Sequence, residues 1–317
     1  MSIDSGARAT VIVPTYNGER YLRATLDSLA AQTAGVLDVI VVDDGSEDES
    51  VAIARAHGAV TEVLEQPHHG VAVARNRGLA AASTPWVGFL DQDDLWHQDR
   101  VATMLQLAAD TGAHAVATTE SRFALERDRP ALEAMSDGRE AWPEAWVNEG
   151  QEAALATAEI DGASGDVTPL TLARLLEGAA MLTTAVLYRR EVAISAGGCA
   201  PHARALDDHL LNLNVARIAG PIPRIDSKQL LYRVHSQSTT TRSPMSAPFL
   251  ATQAAVRLGG MFPDEPRIGP NVEHLLYGLA RSDAKTSDQL ALLLLTVPPG
   301  SRRRWLRRWA VRRIGLR

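Results

Sequence analysis

The sequence predicts an α/β protein built on an open, mostly parallel sheet with helices on both faces. Two observations carry that expectation. Over the first 120 residues, short β-branched or apolar runs alternate with segments whose apolar residues recur at helical spacing. The runs also end in polar clusters, and open α/β sheets bind ligands outside the carboxyl ends of their strands.

The elements follow in order. Thr10 to Val13 is a strand stopped by Pro14, and Leu22, Leu26 and Leu29 mark the first helix. Val36 to Val42 is a second buried strand. Ser46 and Glu49 form a capping box that starts the next helix, and Gly58 is placed to end it. Thr61 to Leu64 gives a short third strand, Gly70 to Ala82 a helix in which Gly78 is a blemish, and Trp86 to Leu90 the fourth strand. Val101, Met104, Leu105 and Ala108 share a helical face that stops near Gly112, before a strand at Ala113 to Thr118. Three polar clusters thereby converge on one rim: Thr15-Tyr16-Asn17, Asp43-Asp44-Gly45-Ser46 and Asp91-Gln92-Asp93-Asp94.

From Ser121 to Gly165 the pattern degrades into acidic, alanine-rich sequence containing Trp142 and Trp146, which reads as an insertion or lid. A helix near Leu170 to Glu177, a strand near Met181 to Tyr188, a turn at Gly197-Gly198, a helix at Asp207 to Ala219 and strands at Ile222 to Ile225 and Gln229 to Val234 follow. The domain organisation expected is a ligand-binding half at 1–120, a second half at 121–235 and a helical extension at 236–317.

Composition narrows the class. The 317 residues are 45% hydrophobic and 22% charged, ordinary for a soluble globular protein. A single cysteine, Cys199, leaves no internal disulfide. The N-terminus MSIDSGARATVIVPTYN carries no expected secretory signal, and LALLLLTV at Leu290 to Val297 is far short of the ~20 residues of a spanning helix. The formal charge is −6, and residues 301–317 hold eight arginines and no acid, so removing their +8 leaves −14 on the rest. An acidic body excludes general nucleic-acid binding, because phosphate contacts need a basic surface. In the tail, Trp305, Trp309, Ala310 and Ile314 share a helical face flanked by arginines, which suits an anionic membrane surface; packing on a partner or on the acidic body is the alternative.

The motifs exclude two nucleotide folds. The first turn reads PTYNGER, with one glycine and a bulky tyrosine where GxGxxG would need close backbone approach, and no GxxxxGK[ST] occurs. DDGSEDES has a structural reading in helix capping. FLDQDDLW is harder to explain that way. Three carboxylates within four positions repel one another, whereas magnesium and manganese take oxygen ligands and complete their shell from substrate phosphates.

The stretches VIVPTYNGERYLRATLDSLAAQT, VIVVDDGSEDES, GVAVARNRGLAAA and WVGFLDQDDLWHQDRV occur in the order and spacing of the family 2 inverting glycosyltransferases, which have the A-type nucleotide-sugar-binding fold. The resemblance is close over about the first 110 residues. It continues more weakly through LLEGAAMLTTAVLYRREVAISAGG and ALDDHLLNLNVARIAGPIPRIDSKQLLYRVHSQS. It implies that Thr15, Tyr16, Asp43 and Asp44 hold the nucleotide, with Asp44 on the base, and that Arg75 lies beside it or its phosphates. Asp91 and Asp93 match the metal-binding Asp-x-Asp for Mn2+ or Mg2+, with Asp93 the direct ligand. Asp207-Asp208 stands where the family has Glu-Asp, which makes Asp208 the catalytic base. Asp94, Asp207, Arg233 and His235 are further phosphate or acceptor contacts, the last two in a Tyr-Arg-x-His strand end that also reads as a structural edge strand. Trp96 packs structurally, and His68-His69 read as loop residues rather than metal ligands.

The function implied is metal-dependent, inverting sugar transfer from a nucleotide-diphosphate sugar to a glycan or lipid-linked acceptor, in cell-surface polysaccharide or glycoconjugate synthesis. Its expected place is the cytoplasm or the inner face of the membrane. A nucleotidyltransferase and a non-catalytic nucleotide-sugar-binding or scaffold protein are the alternatives.

Overall fold

The computed structural model describes residues 8–34, 37–135, 142–159, 164–177, 181–201 and 207–237, together with five residues of the C-terminal tail. The strands are β1 (Ala9–Thr15), β2 (Leu37–Asp43), β3 (Glu62–Glu65), β4 (Trp86–Phe89), β5 (Leu95–Trp96), β6 (Ala115–Leu125), β7 (Ala145–Val147), β8 (Val167–Leu170), β9 (Val186–Arg189) and β10 (Ile222–Arg233). The helices are α1 (Leu22–Ala30), α2 (Ser50–Ala56), α3 (Val71–Ala81), α4 (Arg100–Thr111), α5 (Arg129–Met135), α6 (Glu152–Thr157), α7 (Leu172–Glu177), α8 (Arg190–Ser195) and α9 (Asp207–Ala219).

All the strands belong to one sheet of order β3-β2-β1-β4-β9-β6-β10-β5, with β7 added to β6 and β8 to β10. From β3 to β4 it is parallel; β9 then runs antiparallel to both β4 and β6, while β10 and β7 are parallel to β6. Only β5, β8 and β9 therefore oppose the common direction. One rim of the sheet consequently collects the carboxyl ends of β1, β2, β4, β6 and β10, the geometry that concentrates polar loops at a ligand site.

Alternation along β1 splits the core. Val11 and Val13 pack with α1 and α4 residues such as Leu22, Leu26, Val101 and Met104. Ile12 faces the other way, towards Ala74 and Leu79 of α3 and Leu213 of α9. Gly78 has a packing reason: a β-carbon there would collide with Ile12 Cγ2 and crowd Val42, so α3 lies against the sheet only because that position has no side chain.

Several expected boundaries are corrected. Pro14 lies inside β1 rather than ending it. The Ile12 carbonyl accepts from Leu90 N, on the β4 side, so the nitrogen two residues on faces the same side, beyond the last β4 pair at Ile12 and Phe89. The missing N–H is not required there. The capping box does not form: α2 starts at Ser50, and Ser46 Oγ instead accepts the Asn17 N–H. The strand expected at Ala113 to Thr118 runs on to Leu125, so the presumed insertion begins inside the sheet. Residues 119–122 are half-buried because they have left β9 and pair only with β10, which removes the apolar pattern that marks a strand. The two strands expected between Ile222 and Val234 are one, interrupted by a register shift between Ile225 and Leu230.

Trp96 is fully buried, as its structural role requires. The guanidinium of Arg100, also buried, lies 4.7 Å from its ring centroid and donates to Thr118 Oγ1 and the Thr184 carbonyl. Burial lowers the Arg100 pKa to about 9. The expected extension at 236–317 lies outside the described residues, except for Ser236, Gln237 and five tail residues. Of these, Arg303, Leu306, Arg307, Ala310 and Val311 have helical backbone. Among the described residues no helix is long and apolar enough to cross a membrane.

Candidate functional site

The loop after β1 is laced to the loop after β2. Asn17 and Gly18 N–H donate to Ser46 and Ser50 hydroxyls, Glu19 N–H to Asp48, and in return Glu47 and Glu49 N–H donate to Asn17 and Glu19 side chains. The acids and serines of DDGSEDES thus satisfy the backbone of a neighbouring loop as well as their own. Gln92 completes the frame from the third cluster. Its amide accepts from Tyr16 N at 2.8 Å and donates to Tyr16 O at 3.1 Å, and it fills the space that a side chain on Gly18 would need. Tyr16 itself is left 42% exposed on the rim, stacked on His68 with ring centroids 4.1 Å apart.

Asp43 and Asp44 divide their work. Asp44 accepts from Gln66 Nε2 and His69 N on one oxygen and from Gly70 N on the other, at 2.7–2.9 Å, and the His68 imidazole lies 2.9 Å from that second oxygen while bonding to the Asp44 carbonyl. It therefore holds the backbone that enters α3 and is buried. A contact with a base, its expected role, competes with these bonds. Asp43 Oδ2 accepts the Gly45 and Ser46 N–H groups, but its buried Oδ1 has no hydrogen-bond partner. Of the pair, Asp43 has the acceptor to spare. Thr15 is buried behind it, its hydroxyl turned to the Val13 carbonyl.

Burial pushes the Asp44 carboxyl up, but the hydrogen bonds from His69, Gln66 and Gly70 and the nearby His68 hold it below its ordinary value. A carboxylate with a depressed folded pKa stabilises above its unfolded value, about 4, and loses that contribution as pH falls through the folded one. Asp44→Asn is expected to cost about 1–3 kcal/mol at pH 7. Urea denaturation should show the gap from wild type narrowing towards pH 3; a gap independent of pH would refute the assignment.

Each member of FLDQDDLW has a defined contact. Asp91 Oδ1 receives Arg75 Nη2 at 2.6 Å, from a buried arginine in α3, so this member of the expected metal pair has a protein counter-ion. Asp93 Oδ2 lies 2.8 Å from His235 Nε2, at the end of β10. Asp94 is buried and accepts the Arg233 N–H, which ties β10 to the turn. Burial and the charges of Asp93 and Asp91 push its carboxyl well above the ordinary range. The Arg233 guanidinium is also buried, 4.6 Å from the Tyr21 and Phe123 ring centroids, donating to the Asp93 carbonyl and lying 3.4 Å from Glu152. Asp94 and Arg233, expected to touch phosphate or acceptor, instead brace the turn from inside.

Asp93 and His235 remain as the pair fitted to a cation. One carboxylate and one imidazole in contact at the rim suit a divalent ion that takes its other ligands from phosphates. Among the described residues there is no group of three or more His, Cys, Asp or Glu side chains that could hold a metal ion.

Asp207 and Asp208 begin α9, and their side chains lie outside the described residues. The backbone still locates them. The chain leaves α9 at Ala219 and, after two intervening residues, enters β10 at the end of that strand remote from His235, so the first turn of α9 points towards the rim. Asn76, next to Arg75, grips both backbone groups of Cys199, at 2.7 and 2.8 Å, and so ties α3 to the loop that leads into α9. Asn76, Gln92 and Gln66 were not singled out by the sequence, because an amide that clamps remote backbone leaves no local pattern.

The chain can now be set beside known proteins. Residues 10–161 match the model of glycosyl transferase family 2. Glycosyltransferase GlyA of Streptococcus pneumoniae is 42% identical over 100 residues, 31% of this chain and 14% of that protein. The amylovoran biosynthesis glycosyltransferase AmsB of Erwinia amylovora is 39% identical over 104 residues, 31% of this chain and 35% of that protein. The matched segment thus spans a third or less of most of these curated relatives. Among solved structures, S. aureus TarS 1-349 in complex with UDP-GlcNAc superposes with a TM-score of 0.57 at 15% identity, covering 96% of this chain and 81% of that one. The mannosyltransferase PcManGT of Pyrobaculum calidifontis, in complex with GDP-Man and Mn2+, gives 0.53 at 19% identity, over 97% and 87%.

Sheet order, rim and superposition define the class: this is the A-type glycosyltransferase fold. Residues 10–161, just under half of the chain, are similar to glycosyl transferase family 2.

Proposed function

We propose that the protein is a metal-dependent, inverting glycosyltransferase that moves a sugar from a nucleotide-diphosphate sugar to a glycan or lipid-linked acceptor. The observation that carries this reading is the Asp93–His235 contact on the rim that also bears the spare oxygen of Asp43 and the exposed ring of Tyr16. Tyr16 and Asp43 bind the base, and Thr15 and Asp44 shape the loops around it. Arg75 orients Asp91. Asp93 and His235 hold Mn2+ or Mg2+, which when bound supplies positive charge to the departing diphosphate. Asp208, with Asp207 beside it, removes the proton of the acceptor hydroxyl. That oxygen bonds to the anomeric carbon on the face opposite the diphosphate, and inversion follows.

Support for a nucleotide-sugar donor comes from the ligands of TarS and the mannosyltransferase, and for a polysaccharide product from the role named for AmsB. A donor panel incubated with Mn2+ tests the reading. Nucleoside diphosphate release is expected; pyrophosphate would indicate a nucleotidyltransferase, and binding without turnover a non-catalytic nucleotide-sugar protein.

The organisation into a donor half at 1–120, an acceptor half at 121–235 and an extension beyond belongs to the same proposal. So does the tail. Its eight arginines and two tryptophans place the enzyme on the anionic inner face of the membrane. Intact protein is expected to sediment with phosphatidylserine liposomes and a chain ending at Pro299 to stay in solution; equal sedimentation would refute the membrane role.

A further inference from the structure

The exposed large apolar side chains among the described residues include two aromatics, Tyr16 and Trp142. Tyr16 belongs to the donor loops. Trp142 has no part in the machinery above, yet 43% of it is exposed. A lone exposed side chain is ordinary; an exposed aromatic that is part of a larger apolar surface marks a contact site.

Trp142 does not stand alone. Its ring meets that of Trp146 at 5.8 Å between centroids and 65° between planes, an edge-on pair. Trp146, on β7, is half-buried against Ala124, Leu132 and Val234, so its indole is anchored. The Arg129 guanidinium lies 4.0 Å from the Trp146 ring centroid and is itself held by two 2.8 Å hydrogen bonds to Glu126. Burial below and the cation beside it thus hold the pair in place before any ligand arrives.

Its position is equally specific. Strand β7 pairs with Phe123 to Leu125 at the rim end of β6, and Phe123 pairs with Arg233 of β10. Val234, which packs with Trp146, is the residue next to His235. The aromatic pair therefore stands at the same rim as the Asp93–His235 contact, with β6 between β7 and the strand that leads to His235.

We propose that Trp142 and Trp146 form a shelf that stacks the pyranose ring of a carbohydrate acceptor. A pyranose presents a flat patch of C–H bonds that covers one indole, and a girdle of hydroxyls that needs polar neighbours. Both are here. Charges near it in the chain are paired, Arg127 with Glu149 and Glu144 with Lys228, which suits a neutral polyhydroxylated ring. A single exposed indole is too small an apolar area for a stable protein partner. The word acceptor rests on the transferase reading; the carbohydrate site does not.

The test is a glycan array probed with the intact protein, the Trp142→Ala variant and the Trp142→Phe variant, each supplied with UDP or GDP and Mn2+. Wild type should retain a set of glycans, alanine should weaken their binding about tenfold or more, and phenylalanine should keep most of it. Donor hydrolysis should be the same in all three. Undiminished glycan binding by Trp142→Ala, equal loss in both variants, or no glycan retained by wild type overturns the proposal. Absence of nucleoside diphosphate release from wild type that still retains glycans counts against the transferase reading alone.

Discussion

Asp208→Asn is expected to lower sugar transfer by ~10²–10⁴-fold, the usual contribution of a general base, with nucleotide binding unchanged. The acceptor hydroxyl is a poor nucleophile until its proton has somewhere to go, and asparagine keeps the shape of the side chain while removing the base. Asp207→Asn is the matched control. Neighbouring residues on a helix point about 100° apart, so the two carboxylates cannot both address the same hydroxyl. Initial rates of product formation, beside calorimetric titration with the nucleotide, check the prediction. Turnover at the wild-type rate in Asp208→Asn would remove Asp208 from the mechanism, and loss only in Asp207→Asn would transfer the role to its neighbour.

Asp93→Ala is expected to abolish the part of nucleotide binding that depends on metal, with transfer falling by roughly 10²-fold or more. The variant leaves His235 Nε2 without its 2.8 Å partner and removes the carboxylate proposed to hold the cation. Thermal shifts with a nucleoside diphosphate, with and without Mn2+, read this directly. Wild type should gain stability from metal and nucleotide together, by mass action, and the variant only from nucleotide. A metal-dependent shift retained in Asp93→Ala, with turnover intact, would sink the assignment. The alanine leaves the turn itself in place, because Asp94, Gln92 and Arg233 hold it from other atoms.

The N-terminal half was legible in the chain for a simple reason. Strands β1 and β4, and β2 over its last five residues, are buried on both faces and read as unbroken apolar runs, and its helices carry apolar residues at regular spacing, so VIVP, VIVVDD and WVGFLD announce both the element and the end at which it functions. The second half was not. β6 passes through Thr-Glu-Ser-Arg at 119–122 where it has lost one neighbour, β7 is three residues long, and β8 is largely exposed. None of these carries an apolar period.

The candidate site divides in the same way. The acids of DDGS and FLDQDDLW stand out because carboxylates seldom crowd together without a counter-charge, and their presence on one rim follows from strand order in the chain. Which acid does what could not be read there. Asp44 looked like the contact for a base, yet three hydrogen bonds and the His68 imidazole from the 66–70 loop engage it, while Asp43 keeps an oxygen open. Asp91 matched Asp93 in pattern, yet Arg75 reaches the first and His235 the second, from positions 16 residues before and 142 residues after. Arg233 looked like a phosphate ligand and is enclosed between two rings.

The sequence by itself determined the α/β class, the rim and the chemical kind of its residues, because local periodicity and residue type are properties of short stretches. Only the tertiary structure decided which carboxylates are spent on hydrogen bonds and which remain available. Burial and partnering depend on groups brought together across the fold, and no local pattern records them.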